Sequence, residues 1–159
     1  MSVIIDGYNL LRSVQELDEQ AELINEIQLC RVLDRYLKII GQNGEIIFDG
    51  TGPLEKFGFE NVTNLEVVFV GLSTDADTVI ENKIKASTAP RQLTVISSDR
   101  RLQKAAHTRK TTLVKSHIFW NNLQKQLSRR RKIKEPAAKR LGLTESETQQ
   151  WLKFFDLEK

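Results

Sequence analysis

The chain has 159 residues, enough to bury a core as one domain, and its formal net charge of +3 is too small to mark it as basic throughout. Its single cysteine, Cys30, excludes a disulfide framework and predicts a small core residue in a reducing compartment. No apolar run approaches the roughly 18 residues that a membrane span requires, and the amino terminus lacks signal-peptide features, so we expect a cytoplasmic protein without a membrane partner.

Short runs rich in β-branched residues alternate with helical patterns along the chain. Helical spacing of apolar residues extends over 17–40, where Gly41 is expected to end the helix. A second helix is predicted from about Asp75, and a third over 100–109. Strands are predicted at residues 3–5, 45–48, 66–70, 93–97 and 111–114. This alternation predicts an α/β three-layer sandwich with a mainly parallel sheet of about five strands.

Aspartates follow four of the five predicted strands. Each one alone could be a helix cap or a turn former. Ligands of parallel sheets bind at the carboxyl ends of the strands, so we expect these carboxylates to converge and to require a cation between them. An all-oxygen site favours Mg²⁺ or Mn²⁺, because the two histidines and one cysteine lack zinc-ligand spacing. The residues are Asp6, Asp49, Asp75, Asp77 and Asp99.

The second predicted helix carries two acidic residues at helical spacing. Asp77 and Glu81 are four residues apart, so both carboxylates fall on one helix face, where they could hold one ion. The alternative is favourable negative charge at a helix N-terminus, which accounts for Asp75 better than for Glu81.

Other polar residues also follow predicted strands. Ser97 and Ser98 could cap the next helix or bind a phosphate or water, and Asn9 offers an uncharged amide that could orient a nucleophilic water or contact a phosphate.

Four segments together carry a resemblance: "IIDGYNLL", "IIFDG", "STDADTVIENKI" and "TVISSDRRLQKAA". In order and spacing they resemble the motifs of the NYN domain, particularly its YacP-like branch, a relative of the PIN-domain nucleases. The resemblance covers about residues 3–120. It implies a PIN-like sandwich and a metal-dependent endoribonuclease that leaves a 5′-phosphate and a 3′-hydroxyl. Its YacP-like members are associated with ribosome-linked RNA cleavage, which makes RNA and the ribosome expected partners.

The resemblance also assigns roles residue by residue. Asp6 corresponds to the first-strand metal carboxylate, with Asn9 as its polar neighbour. The implied catalytic set is Asp6, Asn9, Asp77 and Asp99, and the implied metal ligands are Asp6, Asp77, Glu81 and Asp99. Residues expected to support the site or to face the substrate are Asp49, Ser97 and Ser98, and Asp75 remains a helix-cap candidate.

Positive charge concentrates towards the carboxyl end. Residues 129–159 contain nine Lys or Arg against five Asp or Glu, whereas residues 1–128 contain 15 against 16. An acidic site repels RNA, so a basic surface must bind the backbone, although a basic run also suits a solvated helix face. The predicted RNA-binding residues are Arg100, Arg101, Lys104, Arg109, Lys110, Arg129, Arg130, Arg131 and Lys132.

A boundary is predicted within this basic region. Residues 1–128 would form the NYN/PIN-like nuclease domain, and residues 129–159 a basic linker followed by a short amphipathic helix. Pro136 separates "RRRKIK" from "LTESETQQWLKFF", where Thr144 and Glu147 form a capping box. That helix either docks on the domain's own surface or binds a protein partner.

Two other function classes remain open. A non-catalytic RNA-binding module could have this fold, but it would have no chemical need for the catalytic aspartates together. A small phosphohydrolase of the haloacid-dehalogenase type would have a second aspartate two residues after the first, where this chain has Tyr8. Phe119 and Trp120 either pack in the core or stack on an unpaired base.

Overall fold

A parallel five-stranded sheet forms the centre of the molecule. The computed structural model describes residues 2–17 and 24–140, with side chains as far as residue 129. The strands are β1 (Ser2–Asp6), β2 (Asn43–Phe48), β3 (Leu65–Phe69), β4 (Leu93–Ile96) and β5 (Thr112–Val114). Their spatial order is β3-β2-β1-β4-β5, with parallel pairing throughout. The sheet therefore changes its direction of growth at β1, and a crevice between β1 and β4 is expected to bind ligands.

Helices cover both faces of the sheet. They are α1 (Gly7–Leu17), α2 (Glu26–Ile40), α3 (Ala76–Ala86), α4 (Arg100–Arg109) and α5 (Ser116–Arg140). Short 3₁₀ turns lie at Phe57–Phe59 and Pro90–Gln92. Because side chains alternate along a strand, Ile5 packs with α1, α2 and α5, while Ile4 packs with α3 and α4. The predicted three-layer α/β/α sandwich is confirmed.

Several residues of ambiguous role belong to the core. Phe119 and Trp120 of α5 are buried against the sheet, so the core interpretation holds and neither ring is available to stack on a base. Cys30 is buried in α2, as expected of a small core residue. Among the helices that the structure describes, none combines the length and hydropathy needed to cross a bilayer.

The five strands and the helices after β3 and β4 agree with the prediction, but the first helical segment does not. One helix over 17–40 was predicted, whereas α1 begins at Gly7, directly after β1, and α2 begins separately at Glu26. Asn25 and Gln28 form a capping box that starts α2 and interrupts the apolar periodicity. Gly41 ends α2 with a φ of 68°, as predicted. Residues 18–23 lie outside the described part of the chain.

The region predicted as a linker from residue 129 begins within α5. The backbone of α5 remains helical through the basic run to Arg140, and Pro136 lies within this helix. Arg, Lys and Ala have high helix propensity, and the first half of α5 is anchored in the core by Leu123 and Leu127, so the helix continues beyond the packed region. The amphipathic helix predicted after Pro136, with Thr144 and Glu147, lies outside the described residues.

Candidate active site

The end of β1 places two polar residues beside the crevice. Asp6 is the last residue of β1 and is 5% exposed, and Asn9 lies in the first turn of α1. The helix can begin at once because residue 7 is glycine: a Cβ there would lie 2.4 Å from the ring of Phe48, which is fully buried. The tight β1–α1 connection therefore depends on the absence of a side chain at Gly7.

Ser97 connects the ends of β1 and β4. Its hydroxyl donates to Asp6 Oδ2 over 2.9 Å and accepts the backbone N–H of Asp99 over 3.1 Å. Ser97 is fully buried, so this bridge is shielded from solvent. The serine that was predicted to support the site thus lies between two of the predicted catalytic aspartates.

Four aspartates influence one another at this edge of the sheet. Burial raises the pKa of Asp6 to about 7; the Ser97 hydrogen bond opposes this, and the charges of Asp77, Asp49 and Asp99 add to it. Burial also raises the pKa of Asp77, with the charges of Asp99 and Asp49 adding to the rise and a hydrogen bond with Asp6 opposing it. We call Asp6, Asp49, Asp77 and Asp99 the acidic cluster.

Two members of the acidic cluster also hold helix N-termini. Asp49 Oδ1 accepts the backbone N–H of Ala76 over 2.7 Å, at the first residue of α3. Asp99 is the N-cap of α4, and its Oδ1 accepts from the N–H groups of Arg101 and Leu102 over 2.8 and 3.2 Å. Asp49 and Asp99 each use only Oδ1 to cap a helix, so the other carboxylate oxygen of each side chain is available to the acidic cluster.

Glu81 does not join the acidic cluster. Its carboxylate lies 2.8 Å from Lys85 Nζ and 2.5 Å from Arg101 Nε, and these partners hold the pKa of Glu81 below its usual range. Glu81 is thus paired with two cations, and its predicted role as an ion ligand beside Asp77 stays a prediction. Asp75 caps α3, as the sequence suggested.

The arrangement of the acidic cluster is not that of a preformed metal centre. Within residues 2–17 and 24–129, no three His, Cys, Asp or Glu side chains are positioned to hold an ion together. The metal assignments for Asp6, Asp77 and Asp99 stay predictions.

Asn9 belongs to a second network beside the cluster. Its Oδ1 accepts the N–H of Ser98 over 2.9 Å and the hydroxyl of Ser116 over 2.6 Å. The N–H of Ser116 in turn donates to Ser98 Oγ over 3.1 Å. Three strand ends are thereby joined, because Asn9 follows β1, Ser98 follows β4 and Ser116 follows β5.

The comparison with protein families identifies the chain. The YacP-like NYN domain family matches residues 3–155. The chain belongs to that family. The match crosses the predicted boundary at residue 128, so the YacP-like NYN region includes most of what was predicted to be linker and C-terminal helix.

Solved structures agree with this YacP-like NYN assignment. A crystal structure of Rae1 (YacP) from Bacillus subtilis is 23% identical, with 97% of this chain and 94% of that chain covered and a TM-score of 0.61. A mutant of the same protein aligns at 17% identity over 100% of this chain and 94% of that chain, also with a TM-score of 0.61. These similarities establish the fold. The comparison with curated proteins gave no match.

A basic groove adjoins the acidic cluster of this YacP-like NYN protein. It lies between α3 and α4 and has a volume of about 460 Å³. Four predicted RNA-binding residues line it, together with Glu81 and with Lys85, which the sequence interpretation missed. Lys85 could have been found as the residue one helical turn after Glu81. The predicted residues in the groove are Arg100, Arg101, Lys104 and Arg109.

The remaining predicted RNA-binding residues lie elsewhere. Lys110 is the C-cap of α4, with a φ of 58°. Arg129 lines a separate surface groove along α5 with Lys125. The side chains of Arg130, Arg131 and Lys132 lie outside the described part of the YacP-like NYN domain.

Ser116 is the polar residue that the sequence interpretation missed. The rule that found the aspartates, polar residues after strand ends, also applies to the fifth strand, which Lys115 and Ser116 follow. At the other strands the rule also identified Asn9, Ser97 and Ser98, but no aspartate follows the fifth strand and its end was not considered, so the hydroxyl of Ser116 went unnoticed.

Proposed function

We propose that this YacP-like NYN protein is a metal-dependent endoribonuclease that hydrolyses RNA phosphodiester bonds. The family supplies a nuclease-type, RNA-related fold. The observation that carries the proposal is the acidic cluster, in which burial and mutual repulsion raise the pKa of Asp6 to about 7. Concentrated negative charge of this kind opposes folding, and it is useful where a cation is to be bound.

The chemistry of the acidic cluster fits Mg²⁺ or Mn²⁺. All four side chains offer carboxylate oxygens, the donors that these hard ions prefer. Asp6, Asp77 and Asp99 are the residues proposed to hold the ion, with Asp49 beside them, whereas the Glu81 carboxylate is paired with Lys85 and Arg101. When bound, such an ion lowers the pKa of the attacking water and neutralises charge on the scissile phosphate.

The basic groove is proposed to bind the RNA backbone and lead it to the cluster. Arg101 connects the two regions, because its backbone N–H bonds to Asp99 while its side chain lines the groove. Lys85, Lys104 and Arg109 supply further positive charge along α3 and α4. Contacts to phosphates give affinity without sequence preference, so this surface positions RNA rather than selecting its sequence.

A second candidate function is an RNA-binding module of the same fold without catalysis. One observation favours it: no three potential ligands among the described side chains are positioned to hold a metal ion. The acidic cluster would then have no chemical role, and RNA would bind through the basic groove alone.

Cleavage assays on labelled single-stranded and structured RNAs distinguish the two candidates. Purified protein is incubated with Mn²⁺, Mg²⁺ or EDTA, alongside Asp6→Asn and Asp99→Asn. The nuclease proposal expects metal-dependent cleavage that both substitutions reduce by about 100-fold or more, since each weakens the charge that supports the transition state.

The matched control is Glu66→Gln, which removes one exposed negative charge from the amino-terminal half of β3. It should cleave as wild type does. RNA binding that is equal with metal or EDTA, without cleavage of any substrate, would support the binding module. Equal cleavage by all variants would refute the acidic cluster as the catalytic centre.

A further inference from the structure

Two donors hold the carboxamide of Asn9 by the same oxygen. The backbone N–H of Ser98 is 2.9 Å from Asn9 Oδ1, and the hydroxyl oxygen of Ser116 is 2.6 Å from the same atom. Because a backbone N–H only donates, the amide atom facing Ser98 has to be the oxygen. The backbone therefore fixes which end of the amide faces β4.

This arrangement determines which end of Asn9 is available. An amide oxygen has two lone pairs, and Ser98 and Ser116 together occupy both. Among the described residues, nothing accepts a hydrogen bond from Nδ2 of Asn9, so its two N–H groups are unused. Asn9 is only partly buried, and it lies one helical turn after Asp6.

Ser116 is held at this position by burial and by a hydrogen bond from its backbone. It is the first residue of α5 and is fully buried, and its backbone N–H donates to Ser98 Oγ over 3.1 Å. The large majority of buried hydroxyl groups have a hydrogen-bond partner, and the partner here is Asn9. Without that hydroxyl, the amide would keep only the bond from Ser98 and could rotate about it.

We propose that Ser116 is a positioning residue that holds Asn9 so that its NH₂ group, rather than its oxygen, meets the RNA phosphate at the acidic cluster. This inference rests on the proposed nuclease function. A phosphate approaching several carboxylates is stabilised by a neutral donor, whereas an exposed amide oxygen would add repulsion. Asn9 therefore contacts substrate through its N–H groups and does not ligate a metal through Oδ1.

Steady-state kinetics test the positioning role. Ser116→Ala is compared with wild type at saturating metal, and we expect kcat to fall by about tenfold with KM changed less than about twofold, because a transition-state donor is misplaced rather than deleted. Ser116→Thr retains the hydroxyl and should recover most of kcat. Thermal unfolding of each variant reports whether removing the hydroxyl in Ser116→Ala, or adding a methyl group in Ser116→Thr, lowers the stability of the fold.

The matched control is Thr111→Val. Thr111 also carries a buried hydroxyl, but it directly precedes β5, at the end of the strand opposite Ser116, and its Oγ1 has no hydrogen-bond partner. Its removal should leave kcat unchanged. An equal fall in kcat for Thr111→Val and Ser116→Ala would assign the effect to general loss of packing and overturn the proposal.

Two further measurements do not depend on cleavage. In an ¹⁵N-labelled protein with EDTA, titration with a short single-stranded RNA should shift the side-chain NH₂ signals of Asn9 in wild type but much less in Ser116→Ala. Calorimetric Mn²⁺ titration should give the same affinity for wild type and Asn9→Ala. A loss of Mn²⁺ affinity in Asn9→Ala would make Asn9 a ligand and overturn the proposal.

The outcomes separate this inference from the proposed function. If wild type cleaves RNA and Ser116→Ala keeps full kcat, the positioning role fails while the nuclease function stands. If wild type never cleaves RNA, the nuclease function fails, and an unshifted Asn9 NH₂ signal would also refute its contact with RNA.

Discussion

Asp6 is a carboxyl group that folding buries next to other carboxylates. Its pKa rises from 3.8 to about 7 on folding, mainly through burial. Between these values the folded state binds more protons than the unfolded state, so the free energy of unfolding falls as pH rises from about 4 to about 7. The free-energy cost of ionising Asp6 in the folded protein is therefore absent below about pH 4 and fully present above about pH 7.

Replacing this carboxyl group by an amide should stabilise the protein in alkaline solution. We expect Asp6→Asn to raise the free energy of unfolding by about 1–3 kcal/mol at pH 8 without divalent metal, since it removes a buried charge. At pH 3.5 the difference should nearly vanish, because Asp6 is then neutral in the folded state and mostly neutral in the unfolded state. Urea denaturation of wild type and Asp6→Asn at both pH values measures this difference in the free energy of unfolding.

Glu66→Gln provides the control for the pH effect, because this exposed residue should give little difference at either pH. If Asp6→Asn is less stable than wild type at pH 8, ionised Asp6 does not destabilise the folded protein and the inference is wrong.

The candidate site was predictable from sequence where its polar residues, Asn9, Ser97 and Ser98 as well as the aspartates, follow buried strands. Asp6, Asp49 and Asp99 follow buried strands, and parallel topology brings such strand ends together. The pairing of Glu81 could not be predicted, because it depends on Arg101, twenty residues away in sequence, and the sequence does not show that α3 and α4 pack side by side. The contact of Ser116 with Asn9 could not be read from the sequence either, because 107 residues separate the two.

At the level of secondary structure, α2 owes its start to a single reciprocal motif. Asn25 Oδ1 accepts the N–H of Gln28 over 2.9 Å, and Gln28 Oε1 accepts the N–H of Asn25 over 3.0 Å. Asn25→Ala removes this cap and should lower the free energy of unfolding by about 1 kcal/mol. Asn25→Ser is the control, because serine retains a capping oxygen.

Chemical denaturation monitored by circular dichroism measures both variants. If Asn25→Ala and Asn25→Ser lose equal stability, the side-chain cap is not what stabilises the start of α2.

The helices show which helix ends can be predicted from local sequence patterns alone. α3 and α4 begin directly after their N-caps Asp75 and Asp99, which can be recognised in the sequence, and Gly41 caps the end of α2 as predicted. α1 was missed because Asp6 and Gly7 resemble a turn. Only the packing of Gly7 against Phe48 across the sheet shows that a helix starts there.

Considered as a whole, the molecule has two apolar cores that share one sheet. Leu33 of α2 is fully buried on one face, and Ile80 of α3 is fully buried on the other. Both cores depend on the same strands, so neither should survive the loss of the other. We expect Leu33→Ala and Ile80→Ala each to lower the free energy of unfolding by about 2–5 kcal/mol with a single transition.

Calorimetry and far-ultraviolet circular dichroism should give coincident transitions for both variants. The exposed Leu54 provides the control, because Leu54→Ala should change stability little. Two separate transitions in Ile80→Ala would contradict the shared-sheet interpretation.

The hydrogen bonds at the site join residues that are far apart along the chain. Ser97 and Asp6 are 91 residues apart, and Ser116 and Asn9 are 107 residues apart. During synthesis, Asp6 emerges early, whereas the serines that orient it and its neighbour emerge only with the last two strands. A nascent chain therefore carries no assembled centre until β5 and the start of α5 have been made, so translation itself postpones any reactivity towards nearby RNA.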